Sequence, residues 1–291
     1  MIVPPFLPLK KARLAVFSPA GRVNVESLQK GLRFLSAWGF EIEIPPAVWT
    51  RCRYLAGDDY ERAGLFYRLW MEDFDLLWAS RGGYGSLRLL PLLDELLPAA
   101  PQAPKWILGF SDVSILLNYL FKRFGLVTLH APVISSLYET SVCALAALKK
   151  CLFRERRLKL SGVSWLPGET SGILLGGNLS SLASLLGSPW FPDLRGKILF
   201  LEDVNEDLYR LDRLFTQLAS AGVFEEIKGL ALGDFGGVDL LALKSLVLEY
   251  FRGPTLAELP VGHGVHNYPL YIGAPSFLRV GKEGGFLEQA V

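Results

Sequence analysis

A chain of 291 residues with 51% hydrophobic and 20% charged side chains has the material for one large or two modest globular domains, which excludes a disordered protein. Its 30 Lys and Arg against 29 Asp and Glu leave a net charge of +1, and no run of like charge forms a basic stripe, so nucleic acid is not an expected partner. Mean hydropathy is high at +0.30, yet no segment offers the roughly 20 consecutive apolar residues of a membrane-crossing helix. The longest uncharged stretch, 170–192, is interrupted by Gly172, Gly176, Gly177, Gly187 and Pro189. The first residues place their lysines after the apolar positions, the reverse of a secretory signal, so a cytoplasmic protein without a membrane partner is expected. Cys52, Cys143 and Cys151 show no metal-ligand or redox spacing and read as buried thiols.

Along the first half, short β-rich runs alternate with amphipathic helical ones, the pattern of an α/β fold with a parallel sheet. A strand at 14–17 ends in the turn Ser18-Pro19-Ala20-Gly21, and helix 26–38 follows with Leu28, Leu32, Leu35 and Trp38 on one face and Gly39 as its stop. Next come a strand at 40–44, a helix at 58–71 and a strand at 75–79 that runs into the loop Ser80-Arg81-Gly82-Gly83-Tyr84-Gly85. A strand at 106–109 turns sharply at Phe110-Ser111-Asp112 into a helix at 113–121, and a strand at 126–129 precedes His130-Ala131-Pro132 and a helix at 141–153. Residues 1–153 therefore read as an N-terminal domain. The aperiodic segment 154–169 reads as a linker, and 170–291 as a smaller α+β domain. In that second domain strands at 172–178, 197–201 and 229–232 and helices at 207–221 and 240–250 are expected, with loops and short strands after Pro254.

Several residues could carry chemistry. Ser111, at a tight strand-to-helix turn, is placed either as a nucleophile or as an ordinary helix cap followed by a favourable Asp112. The sequence GFSDV departs from the G-x-S-x-G elbow at its last position. The glycine loop at 82–85 could let backbone amides cradle an oxyanion, or be a plain turn. It lacks both the Lys-Ser/Thr and the G-x-G-x-x-G spacing of phosphate loops. Glu202 ends an apolar run and calls for a partner if buried, with Asp203, Glu206 and Asp207 as neighbours that sequence alone cannot rank. His263, flanked by glycines, competes with His266 as a base, whereas His130 reads as a satisfied structural histidine. A metal pair from His263 and His266 lacks a third ligand, so no metal is assigned. Together Ser111, His263 and Glu202 permit a relay in which the imidazole takes the serine proton and the carboxylate fixes its tautomer.

Seven segments, in order, are FSPAG, RGGYG, GFSD, HAP, GGNLSSLASLLG, LFLEDVNEDLYRLDRLFTQLASAGVF and GHGVHNYPLYIGA. Over nearly the whole chain they resemble the LD-carboxypeptidase family of serine peptidases, which includes muramoyl-tetrapeptide carboxypeptidases and microcin C immunity proteins. The resemblance implies a Rossmann-like, glutamine-amidotransferase-like first domain carrying Ser111 and a second domain supplying Glu202 and His263, with His266 a mere neighbour. It also implies an oxyanion hole from the Gly83 and Asp112 amides, no cofactor, and a homodimer. The implied reaction removes a C-terminal D-residue, as in releasing D-alanine from cytoplasmic murein tetrapeptide during peptidoglycan recycling. The substrate's free carboxylate needs a cation, for which Arg81 and Arg213 are candidates. The family's His-Gly-Pro here reads His130-Ala131-Pro132, and its Leu-Pro-Ile-Gly reads Leu270-Tyr271-Ile272-Gly273, changes that bear on the pocket rather than on the three residues. Two alternatives remain: an immunity-like hydrolase of aminoacyl or peptidyl nucleotides, and a binding protein that holds a small anion without turnover.

Overall fold

The computed structural model describes residues 1–8, 11–100 and 103–291. The first half contains β1 (Arg13–Phe17), α1 (Val25–Ala37), β2 (Glu41–Glu43), α2 (Asp59–Met71), β3 (Leu76–Ala79), α3 (Leu90–Leu96), β4 (Trp106–Gly109), α4 (Ser114–Phe124), β5 (Thr128–His130) and α5 (Val142–Phe153). Then follow β6 (Arg157–Leu166), β7 (Gly168–Asn178), α6 (Leu179–Ala183), β8 (Ile198–Glu202), α7 (Leu208–Ser220), α8 (Val223–Glu226) and β9 (Gly229–Leu232). The chain ends with α9 (Leu240–Tyr250), β10 (Thr255–Ala257), β11 (Leu270–Ile272), β12 (Pro275–Val280) and β13 (Gly285–Ala290).

The first sheet runs β11-β5-β4-β3-β1-β2, parallel throughout except for β11. Every residue of β3 and β4 is buried, as befits strands covered by crossover helices on both faces. Parallel pairing gathers the C-terminal ends of β1, β3, β4 and β5 at one edge, where open α/β sheets place their ligands. Helix α2 begins with a capping box in which Glu61 N–H donates to Asp58 Oδ1 and Asp58 N–H to Glu61 Oε2, each at 2.8 Å. That start fixes the next residue, Arg62, whose buried guanidinium donates to the carbonyls of Pro19 and Gly85. A helix cap thus braces the two loops at the sheet edge.

The second half was expected as a small α+β domain, and its strands close into a barrel in the order β10-β6-β13-β12-β7-β8-β9. Leu174, Ile198, Phe200, Ala231, Leu256 and Leu278 belong to the apolar cluster that fills it. Two expectations are corrected here. Segment 154–169, read as a linker, is β6 and the start of β7. Its charges sit on the outer face of a period-two strand, with Leu158 and Leu160 buried and Arg157 and Lys159 exposed, and a register shift opposite Thr255 and Leu256 breaks the alternation further along. Nor are all three thiols buried: Cys151 is, but Cys143 is exposed in the first turn of α5 and Cys52 is half-buried in a tight turn with Leu55. Strand β11, from the second half, pairs antiparallel with β5 and sets Leu270 opposite His130. No helix among the described residues is long and apolar enough to cross a membrane.

Candidate active site

Ser111 sits where β4 gives way to a single 3-10 turn and then α4, with φ of +60°. For a residue with a side chain that region costs about 1–2 kcal/mol, a strain found at functional turns. The helix-cap alternative does not describe it, because among the described residues the Ser111 hydroxyl makes no hydrogen bond. Its carbonyl instead accepts from Ser114 Oγ at 2.6 Å. The glycine loop packs directly on this side chain: a Cβ on Gly82 would lie 3.0 Å from Ser111 Cβ and 3.1 Å from its Oγ. Gly83 beside it has φ of +112°, a backbone setting that a larger residue would strain, and it is exposed toward the sheet edge. Asp112 is buried, and its Oδ2 accepts the Ser86 N–H at 2.8 Å, tying the glycine loop to the serine turn. Burial pushes the Asp112 carboxyl above the usual carboxylate range, opposed by these hydrogen bonds from the loop.

Glu202 is the last residue of β8 and is fully buried at the barrel mouth. Its Oε2 lies 2.7 Å from His263 Nδ1, so the imidazole donates to the carboxylate there and leaves its other nitrogen for a reacting group. Glycines clear the space: a Cβ on Gly262 would stand 3.2 Å from Glu202 Oε2. Burial raises the Glu202 pKa, with His263 opposing it. For His263 burial disfavours the charged ring, but the hydrogen bond and charge of Glu202 outweigh it, and the His263 pKa stands above the ordinary histidine value. The Phe110 ring, from the residue before Ser111, is 4.8 Å from the His263 ring, which brings the serine turn and the imidazole to one place.

A buried polar network joins the two halves underneath. Asn178 at the end of β7 pairs in register with Glu202, and its N–H donates to Ser114 Oγ at 3.2 Å. Its Nδ2 donates to Asp203 Oδ1 at 3.0 Å, and Asp203 also accepts from Val204 N–H and from Ser180 N–H and Oγ. Asp203 is thus a structural acceptor, while Glu206 and Asp207 form loose pairs with Arg210 at 3.7 and 3.9 Å. Sequence reasoning missed Asn178, Ser114 and Asn267, whose Oδ1 accepts from Gly262 N–H at 3.3 Å. The available signal was their place inside GGN, next to GFSD and beside GHG.

His266 is exposed, with Nδ1 3.2 Å from Ser141 Oγ, so it does not share the site. The reading of His130 as a satisfied histidine is corrected: it is fully buried between Phe110 and Phe200, and among the described residues neither ring nitrogen has a partner. Burial, followed by the charge of His263, drives its pKa down to about 3, so the ring stays neutral. Tyr271 points away from the site, its ring 5.8 Å from Trp106 and its N–H donating to Gln289 Oε1 at 2.9 Å. Arg213 is exposed on α7 with its guanidinium over Tyr209, whereas Arg81 lies at the sheet edge and donates to Arg22 O at 2.8 Å.

A two-part α/β scaffold that holds a strained serine, a glycine loop and a buried Glu–His pair at one edge is the scaffold of a serine hydrolase. Residues 14–131 match the LD-carboxypeptidase N-terminal domain, and residues 171–278 match the LD-carboxypeptidase C-terminal domain. A protein of Synechocystis sp. that carries a carboxypeptidase name is 38% identical over 284 residues, covering 94% of this chain and 93% of that one. The murein tetrapeptide carboxypeptidase of Pseudomonas aeruginosa is 33% identical over 278 residues, or 88% of this chain and 89% of its own. The crystal structure of muramoyltetrapeptide carboxypeptidase from Oxalobacter formigenes superposes with a TM-score of 0.86 at 28% identity, covering 96% of this chain and 99% of that one. The chain belongs to the LD-carboxypeptidase family. It is a serine-type carboxypeptidase.

Proposed function

We propose that Ser111, His263 and Glu202 form the catalytic triad, and that the enzyme releases D-alanine from murein tetrapeptide in the cytoplasm during peptidoglycan recycling. The observation that carries the reading is the buried 2.7 Å contact from Glu202 to His263, packed through Phe110 onto the strained Ser111 turn. The ring nitrogen of His263 away from Glu202 takes the Ser111 proton as Oγ attacks the carbonyl carbon, and then gives it to the departing D-alanine nitrogen. Glu202 holds the Nδ1 proton and favours the imidazolium that forms in between. The Gly83 and Asp112 amides hold the oxyanion; removing one such donor typically costs about a hundredfold or more in rate. Water, activated by the same histidine, then hydrolyses the acyl-enzyme. The unmade Ser111 hydrogen bond is in keeping with the looser geometry common before substrate binds.

The test is release of D-alanine from L-Ala-D-Glu-meso-diaminopimelate-D-Ala by the purified chain, with and without chelator. Chelator-resistant release that Ser111→Ala abolishes is the expected result. A folded wild-type protein that leaves this peptide intact overturns the substrate assignment, and cleavage of an aminoacyl nucleotide in its place would move the enzyme to the immunity-type reaction.

A further inference from the structure

Beyond the glycine loop, at the edge over β1 and β3, lies a cleft lined by Arg22, Arg51 and Arg81 together with Asn24 and Glu26. In a chain of net charge +1, three exposed guanidinium groups at one cleft are a local excess. Among the described residues none of the three has a carboxylate within ion-pair distance, and Glu26, which lines the cleft, is engaged by Lys30 at 2.8 Å. Like charges gathered without a counter-charge repel one another, and an anion in the cleft relieves that repulsion.

The arginines are held there by the backbone that builds the catalytic turn. Gly21 N–H donates to Gly82 O at 3.1 Å, and Arg22 N–H donates to Tyr54 O at 3.1 Å. The latter bond fastens Arg22 to the tight turn that follows Arg51, in which Cys52 and Leu55 exchange N–H···O bonds at 3.1 and 2.9 Å. Arg81 donates to Arg22 O at 2.8 Å, closing the circuit. Arg81 is one peptide, about 3.8 Å between Cα atoms, from Gly82, where an added Cβ would lie 3.1 Å from Ser111 Oγ. Its side chain is long enough to meet a group one residue away from a carbonyl held over that oxygen. The pocket on the other side of the serine, lined by Phe110, Ser136, Glu139, Thr140, His263 and Val265 among others, contains no Lys or Arg and does contain an acid. A substrate carboxylate is therefore favoured on the arginine side and disfavoured on the other.

Resting on the carboxypeptidase reading above, we propose that Arg22, Arg51 and Arg81 form a carboxylate subsite that orients the peptide across Ser111. Two carboxylates of a tetrapeptide have this chemistry: the free terminus of the departing residue and the side-chain carboxylate of the diamino acid before it. The experiment uses the full chain in a Ser111→Ala background, so that binding is read without turnover. Calorimetry would compare Arg51→Gln and Arg81→Gln with the parent on three peptides: the free tetrapeptide, its terminal carboxamide, and the form amidated at the diamino-acid side chain.

Each substitution is expected to weaken the free peptide about tenfold or more, as loss of a charged hydrogen bond does. That loss should vanish on one of the two amidated peptides, and the one on which it vanishes names the carboxylate. In the active enzyme the same variants should raise KM about tenfold while kcat changes less. Equal affinity of parent and variants for the free peptide, or the same loss on all three peptides, overturns the subsite. Arginine-dependent binding without D-alanine release by the Ser111 enzyme overturns the proposed reaction alone, and release without arginine dependence overturns the subsite alone.

Discussion

Replacing Glu202 with Gln keeps the shape of the side chain and removes the charge that faces His263. The contact is 2.7 Å long and the carboxylate is fully buried, so solvent screens it little. A hydrogen bond to a charged group of this kind is worth about 1.5–3 kcal/mol, so its loss should lower the His263 pKa. The direction follows from the native state, in which Glu202 holds that pKa above the ordinary value against the effect of burial. With the neutral imidazole as the proposed base, kcat/KM should fall as pH drops through this pKa, and the acid limb should move to lower pH in the variant. The carboxamide NH2 can also face Nδ1 and favour the tautomer with its proton on the nitrogen meant for serine. For that reason kcat should drop by about 10³–10⁴-fold even at the optimum. The assay is D-alanine release coupled to a D-amino-acid oxidase across about pH 5 to 9, alongside circular dichroism of each variant. A folded Glu202→Gln enzyme within about tenfold of wild type, or one whose acid limb stays in place, would refute the assigned role.

Two further outcomes concern stability. Ser111 holds φ at +60°, so Ser111→Gly should be more stable than Ser111→Ala by about 0.5–1 kcal/mol in urea unfolding, both variants being inactive; the reverse order would remove the argument for strain. Lys105 is buried at the C-terminal end of α2, its Nζ donating to Leu69 O at 3.1 Å and Trp70 O at 2.9 Å, and burial lowers its pKa to about 8. The unfolded chain then binds more protons than the native one between about pH 8 and the ordinary lysine value of 10.5, so wild-type stability should rise over that interval relative to Lys105→Met. A stability difference that is flat with pH would contradict it.

The parallel sheet was legible because β1, β3 and β4 are short apolar runs and helical periodicity follows, as in Leu28, Leu32, Leu35 and Trp38 with Gly39 as the stop. The barrel was not. Its β6 carries Arg157 and Lys159 on an outer face, and a register shift hides the period where Leu166 meets Thr255. Nor does anything local to Leu270-Tyr271-Ile272 say that this segment pairs with β5 rather than with its sequence neighbours in the barrel, since pairing across the chain leaves no local trace. At the site, Ser111 stood out by its strand-to-helix turn, His263 by its flanking glycines and Glu202 as the charged end of an apolar run; only the family resemblance grouped the three, because residues so far apart in sequence leave no local sign of their contact. His130 misled for a related reason, because a histidine after a strand gives no hint that two phenyl rings will enclose it.

Strand β11 has a mechanical consequence. His130 stands opposite Gly109 on one side and Leu270 on the other. The chain reaches Ser111 just after the first of these and His263 shortly before the second, so both residues are gauged from one residue of β5. A tilt of the barrel against the sheet would have to peel β11 from β5 before it changed the spacing of Ser111 and His263. The same pairing means that the second half could not be exchanged for that of a distant relative as a free-standing module, because it carries the strand that finishes the first sheet.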